Sequence, residues 1–110
     1  MEQLNVIDAF SALSQPTRLT VFRLLIRFGP HGMKAGDIAK EVDVPQNTLS
    51  THLGILVRGG LVTSRREGRS IIYTADMDGI RHLVLYLTRN CCEGNPEACG
   101  ALIEEIIPSC

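Results

Sequence analysis

No cysteine occurs in the first 90 residues of this 110-residue chain; the four present fall at 91, 92, 99 and 110. A secreted fold stapled by disulfides scatters its cysteines to close long loops, and bridging two adjacent cysteines is strained. The distribution therefore excludes a disulfide framework and reads as reduced thiols gathered at one place. No apolar run approaches the roughly 18–20 residues that span a bilayer. The N-terminal MEQLNVIDAF lacks both the basic start and the cleavage pattern of a secretory signal, so a cytoplasmic protein with no membrane partner is expected. Excess charge of one sign is missing too: 11 basic residues face 12 acidic ones, which argues against a protein that coats nucleic acid indiscriminately. Internal repeats and linkers are absent. With 45% hydrophobic and 21% charged residues, the chain is neither disordered nor of low complexity, and 1–110 is the length of one domain with a core of its own.

The charge that is present is unevenly placed. Residues 58–69 carry Arg58, Arg65, Arg66 and Arg69 against Glu67, a balance of +3. Residues 91–110 carry Glu93, Glu97, Glu104 and Glu105 with no base, a balance of −4. One basic segment in a neutral chain suits a contact made at one defined place.

Hydrophobic spacing sets the expected elements. Leu4, Ile7, Phe10 and Leu13 recur every third residue and predict a short amphipathic helix over 4–13. Ser14 is expected to cap a second helix over 17–28, with Pro16 in its first turn. That helix is apolar on most sides (Leu19, Val21, Phe22, Leu24, Leu25, Ile26, Phe28), which predicts a place in the middle of the domain. Two short helices follow over 35–42 and 46–58, joined by Asp43 and Val44, with Pro45 at the start of the second. The first turns Ile38, Ala39 and Val42 inward. The second has an apolar stripe of Leu49, Leu53, Leu56 and Val57, opposite Gln46, Asn47, Thr48, Ser50, Thr51 and His52. The β-branched runs LVTSRR and SIIYTA, separated by Glu67, Gly68 and Arg69, predict a hairpin over 61–74 with a basic loop. A helix from about 76 to 89 carries Ile80, Leu83, Val84 and Leu87 along one side, and Asn95–Pro96 is expected to open a last helix over 97–107.

Two helices joined by a tight turn, the second with a polar face, match helix-turn-helix geometry, in which the second helix enters the DNA major groove by its N-terminal residues. Gln46, Asn47, Thr48, Ser50, Thr51 and His52 suit that place because they hydrogen-bond base edges and phosphates without burying unpaired carboxylates. The hairpin then acts as a wing, with Arg65, Arg66 and Arg69 near phosphates or the minor groove. The expected fold is mainly α with a β-hairpin wing.

The stretch DIAKEVDVPQNTLSTHLGILVRGGLVTSRREGRSIIY resembles the winged-helix core of the ArsR/SmtB metalloregulatory repressors, and LSQPTRLTVFRLL resembles that family's second helix; together these cover roughly residues 8–74. The resemblance implies a dimeric winged helix-turn-helix repressor that leaves double-stranded operator DNA when an inducer binds. It also implies a homodimer interface on the first and fifth helices, at Leu4, Ile7, Leu83 and Leu87. The chain departs from many metal-sensing members: KAGDIAKEV contains no Cys-x-Cys, and Asp78 and His82 have no second histidine downstream to complete an interhelical zinc site.

The remaining constellation is Cys91, Cys92 and Cys99, with Cys110 a further candidate, in a segment spanning 91–110. Thiolate selects soft ions such as arsenite, antimonite, cadmium, lead or copper(I). Three thiolates can enclose trivalent arsenic in a pyramid, whereas zinc prefers four ligands, commonly from Cys-x-x-Cys knuckles that this spacing does not form. The cluster resembles that of arsenite-responsive repressors of proteobacterial resistance operons. The expectation is a repressor that needs no cofactor to bind DNA and takes As(III) or Sb(III) as inducer. Two alternatives stay open: the same repressor sensing cadmium, lead, zinc or a thiol oxidant, and a small thiol redox or metal-carrier protein. An enzyme is not expected, since no helix sets a nucleophile beside a base and no phosphate loop occurs.

Overall fold

The computed structural model describes residues 3–88, with side chains from Asn5 onward. Helices α1 (Gln3–Leu13) and α2 (Pro16–Phe28) lead to a two-residue strand β1 (Met33–Lys34). The pair α3 (Ala35–Val42) and α4 (Gln46–Arg58) follows, then the hairpin β2 (Val62–Glu67) and β3 (Ser70–Ala75), and then α5 (Met77–Thr88). The arrangement is a winged helix-turn-helix. The last helix expected over 97–107 and all four cysteines lie outside the described residues.

The helix-turn-helix spans coincide with the sequence expectation. Leu49, Leu53 and Leu56 of α4 are fully buried, among Val21 and Leu25 of α2, Ile38 of α3, and Leu61 and Val62. Between α3 and α4 the chain reverses through Asp43, which adopts the left-handed conformation (φ 56°, ψ 54°), while Val44 N–H donates to the Ala39 carbonyl at 3.1 Å. This is a Schellman-type ending, with aspartate where glycine is the commoner residue.

Elsewhere the structure corrects the sequence reading. Ser14 does not cap α2: its hydroxyl donates back to the Ser11 carbonyl at 2.9 Å, and the Gln15 Oε1 instead accepts the Arg18 backbone N–H at 2.8 Å. Helix α2 does pack centrally, against α1, α3, α4 and β3, but it is not buried all round: Val21, Phe22 and Leu25 face the core while Leu19, Ile26 and Phe28 remain exposed. The inward face of α1 is Val6, Ala9 and Ala12, while Ile7 and Phe10 of the apolar line remain exposed. Small residues face inward there because α1 lies close on the end of α4: a Cβ on Gly59 would sit 3.1 Å from Ala12 Cβ.

The wing carries a third strand that no periodicity could reveal, since β1 is two residues long. It pairs antiparallel with β3, Met33 opposite Tyr73 and Lys34 opposite Ile72, giving the order β1-β3-β2. The hairpin loop is Gly68–Arg69 alone, since Glu67 pairs with Ser70; Gly68 supplies the positive φ (62°) the tight reversal needs.

Asp76 immediately precedes helix α5: its Oδ1 accepts the Gly79 N–H at 3.1 Å and its own N–H donates to the Leu61 carbonyl at 2.8 Å. Leu83 is 3% exposed and packs into the core, which removes it from the set available to a dimer surface; Ile7 and Leu87 stay 53% and 60% exposed. Gly79 is buried against the carbonyl of Gly60, so close that a side-chain carbon would collide with it. Gly79→Ala should therefore lower unfolding stability by about 2 kcal/mol, within the range for overpacking, in denaturant titrations at matched protein concentration. An unchanged midpoint would show that α5 can shift away at no cost.

Candidate nucleic-acid interface

The burial of Leu49 and Leu53 fixes which way α4 faces. Gln46, Asn47, Thr48, Ser50 and Thr51 are left exposed along its N-terminal half. Asn47 Oδ1 accepts the Thr48 N–H at 2.9 Å, and the Ser50 hydroxyl donates to the Gln46 carbonyl at 3.0 Å. The side chains of Gln46, Thr48 and Thr51 hold no hydrogen bond to another described residue. Pro45, at the N-cap, offers no side-chain cap, and with the Thr48 N–H taken by Asn47 the Gln46 and Asn47 N–H groups are left among the first-turn donors that favour an anion such as a phosphate.

Gln46 and Ser50 share a cleft of about 410 Å³ with the hairpin tip, lined also by Lys34, Asp37, Arg69 and Tyr73. The helix and the wing thus act on one surface. Lys34 is a basic residue of that surface which sequence reasoning did not single out; its placement depends on β1, whose pairing left no periodic signal.

The three wing arginines are not equivalent. Arg65, opposite Ile72 in the ladder, turns back over the sheet: Nη2 donates to the His31 carbonyl at 2.8 Å, Nη1 to Thr74 Oγ1 at 3.2 Å, and Nε lies 3.5 Å from Glu67 Oε1. This guanidinium ties the hairpin to the loop before β1. Arg66, on the opposite face of the ladder, and Arg69, in the loop, are exposed and hold no hydrogen bond or ion pair to other described residues. His52 also departs from its neighbours. It is half-buried, with Nδ1 3.3 Å from Nη1 of Arg18 on α2, so the structure does not bring it to the Gln46–Thr51 surface.

The side chain of Leu4 and those of Cys91, Cys92, Cys99 and Cys110 lie outside the described residues. Asp78 pairs with Arg81 at 3.7 Å, His82 is exposed with Nε2 3.4 Å from Arg81 Nη2, and no group of three potential metal ligands forms among the described residues. None of the described helices is long and apolar enough to cross a membrane.

Comparison with known proteins agrees with this geometry. The helix-turn-helix domain family matches residues 13–65. An uncharacterized helix-turn-helix-type transcriptional regulator of Methanocaldococcus jannaschii is 35% identical over 77 residues, covering 70% of this chain and 84% of its own length. Among solved structures, an ArsR-like transcriptional regulator from Rhodococcus sp. RHA1 superposes with a TM-score of 0.73 at 28% identity, covering 94% of this chain and 92% of that one. A third similar protein is the homodimeric winged helix-turn-helix DNA-binding domain of a possible ArsR-family regulator from Mycobacterium bovis, with a TM-score of 0.64, 29% identity and 81% of each chain covered.

The two kinds of arginine predict different responses. Arg65→Ala should speed backbone amide exchange in β1 and the hairpin while leaving α4 protected, a local cost of about 1 kcal/mol for exposed contacts of this type. Arg69→Ala should leave the exchange pattern unchanged. Equal effects at both positions would contradict the clamp assigned to Arg65.

Proposed function

Since the chain belongs to the helix-turn-helix-type transcriptional regulators and is similar in structure to an ArsR-like one, we propose that it is a homodimeric repressor of an arsenic-resistance operon, released from its operator when trivalent arsenic or antimony binds Cys91, Cys92 and Cys99. The observation that carries the DNA-binding part is the shared surface of Gln46, Ser50 and Arg69, where a polar helix face and an uncommitted wing cation converge. On this reading Gln46, Asn47, Thr48, Ser50 and Thr51 reach base edges in the major groove, while Lys34, Arg66 and Arg69 contact phosphates.

One such helix covers only a few base pairs, so useful specificity requires two half-sites related by a twofold axis. The outward apolar residues of α1 and α5 supply a surface for a second copy: Ile7, Phe10, Val84 and Leu87 are all exposed in the protomer, and Leu4 continues the line in the sequence. The homodimeric Mycobacterium bovis relative supports the same assembly.

The thiols begin three residues beyond Thr88, the last described residue of α5. Drawing three thiolates around one arsenic constrains the end of that helix. Its other end is wedged by Gly79 against Gly60, in the turn that closes α4, so a displacement of α5 is passed to the reading helix. A 100-fold loss of operator affinity requires about 2.7 kcal/mol of coupling between the two sites.

Two outcomes test the proposal. Arg66→Ala and Arg69→Ala should each weaken binding to all duplexes and reduce the salt slope by about one, whereas changes at Gln46, Asn47 or Thr51 should alter the preference among sequences. Mobility-shift titrations with arsenite, antimonite, cadmium and zinc under reducing conditions should show release by the first two. Cys91→Ser, Cys92→Ser and Cys99→Ser should each bind DNA but ignore arsenite, and Cys110→Ser should respond nearly as wild type. A triple serine variant still released by arsenite would overturn the thiol switch.

A further inference from the structure

Arg18 is the one side chain that joins three helices by its hydrogen bonds among the described residues. It belongs to α2, yet its guanidinium leaves that helix: Nε donates to the Ala12 carbonyl at 2.7 Å and Nη2 lies 3.4 Å from the Ser11 carbonyl. Both carbonyls are in the last turn of α1, beyond the reach of intrahelical donors, although that of Ser11 also accepts the Ser14 N–H and hydroxyl. The remaining arm, Nη1, lies 3.3 Å from Nδ1 of His52 on α4. A guanidinium has five donors in a rigid plane and no acceptor, so this contact needs a bare Nδ1 with the imidazole hydrogen on Nε2. No carboxylate forms an ion pair with either residue among the described residues.

The placement of this link gives it a consequence for recognition. His52 directly follows Thr51 and the exposed polar run, and α4 is held on α1 a second time through Gly59, packed on Ala12 and the Asp8 carbonyl. The buried leucine stripe sets which way α4 faces, and these two contacts, one in the middle of the helix and one at its end, refine its rotation against α1. We infer that Arg18 and His52 form a positioning pair that refines the rotation of α4 against α1, and so aligns the two reading helices of a dimer with their half-sites. The inference rests on the proposed function, in which α4 reads bases and α1 lies at the dimer interface. His52 then contributes to sequence preference through Arg18, without contact to DNA.

The probe is a duplex selected by the wild-type protein from a random-sequence pool, compared with a scrambled duplex of the same length and composition. His52→Leu and Arg18→Met should each lower affinity for the selected duplex about tenfold, the scale of one hydrogen bond to a charged group, with the scrambled duplex affected less than about twofold. The double variant should be no weaker than Arg18→Met alone, because that change already removes the link that His52→Leu breaks. His52→Asn, whose Oδ1 can accept in place of Nδ1, should bind as wild type. Losses that add to about a hundredfold in the double variant would overturn the pair. So would His52→Asn failing as His52→Leu does, and these two variants decide the matter if Arg18→Met does not fold. A wild-type protein that enriches no duplex at all would overturn the DNA-reading proposal itself and this inference with it, an outcome distinct from intact selection with indifferent variants.

Discussion

The burial of one leucine stripe governs the rest of this structure. Leu49, Leu53 and Leu56 lie on one face of α4 with no exposure to solvent, and each contributes about 2 kcal/mol by leaving water. Rolling α4 by a quarter turn would expose those leucines and bury Gln46, Asn47 or Thr51 without partners, so the outward direction of the polar residues follows from the core. The polar surface proposed to face DNA and the interior that stabilises the fold are thus two faces of a single thirteen-residue helix. Its short length makes the constraint tight, because both ends are also held: by the left-handed turn at Asp43 on one side and by the Gly59–Gly60 turn on the other.

Close approach at that second turn makes α1, α4 and α5 a coupled unit. Ala12 packs on Gly59 and Gly79 packs on the carbonyl of Gly60, so the two helices with outward apolar faces both bear on the end of the reading helix. Contacts between small groups transmit displacement well, since no flexible side chain lies between the backbones to absorb it. A dimer formed through α1 and α5 can therefore set the attitude of α4, and a ligand that displaces α5 can change it. The wing is held by other means. Arg65 spans from β2 to the His31 carbonyl and joins the sheet to its own first loop, leaving Arg66 and Arg69 at the surface.

Much of this was legible in the sequence where the signal was strong and local. Both helices of the helix-turn-helix motif have the expected bounds, because apolar residues at three- and four-residue spacing are bracketed by Pro45 and by Gly59–Gly60. The hairpin was legible from its β-branched runs and from Gly68. What escaped depends on contacts between distant residues. The Ile7–Phe10 line of α1 was legible as an apolar face, but the core-facing side of Val6, Ala9 and Ala12 was not, because its small residues follow from a neighbouring backbone that is near only in three dimensions. Leu83 shares a helix side with Leu87 in the sequence pattern, yet three-dimensional packing sends one into the core and leaves the other outside. Arg65 and Arg69 are alike in composition; only the ladder register shows that one is already engaged. Lys34 joined the surface through a strand too short to have a period.

The central claim is that two copies of α4 read adjacent major grooves from one side of the duplex. Methylation interference at guanine N7, on a duplex selected by the wild-type protein, tests it most directly, because that atom lies in the major groove where α4 is expected to insert. The account predicts two interference patches on the same face of the DNA, their centres about 10–10.5 base pairs apart or a multiple of that spacing, related by a twofold axis. A single patch, or tight sequence-selective binding with no major-groove interference at all, would contradict it.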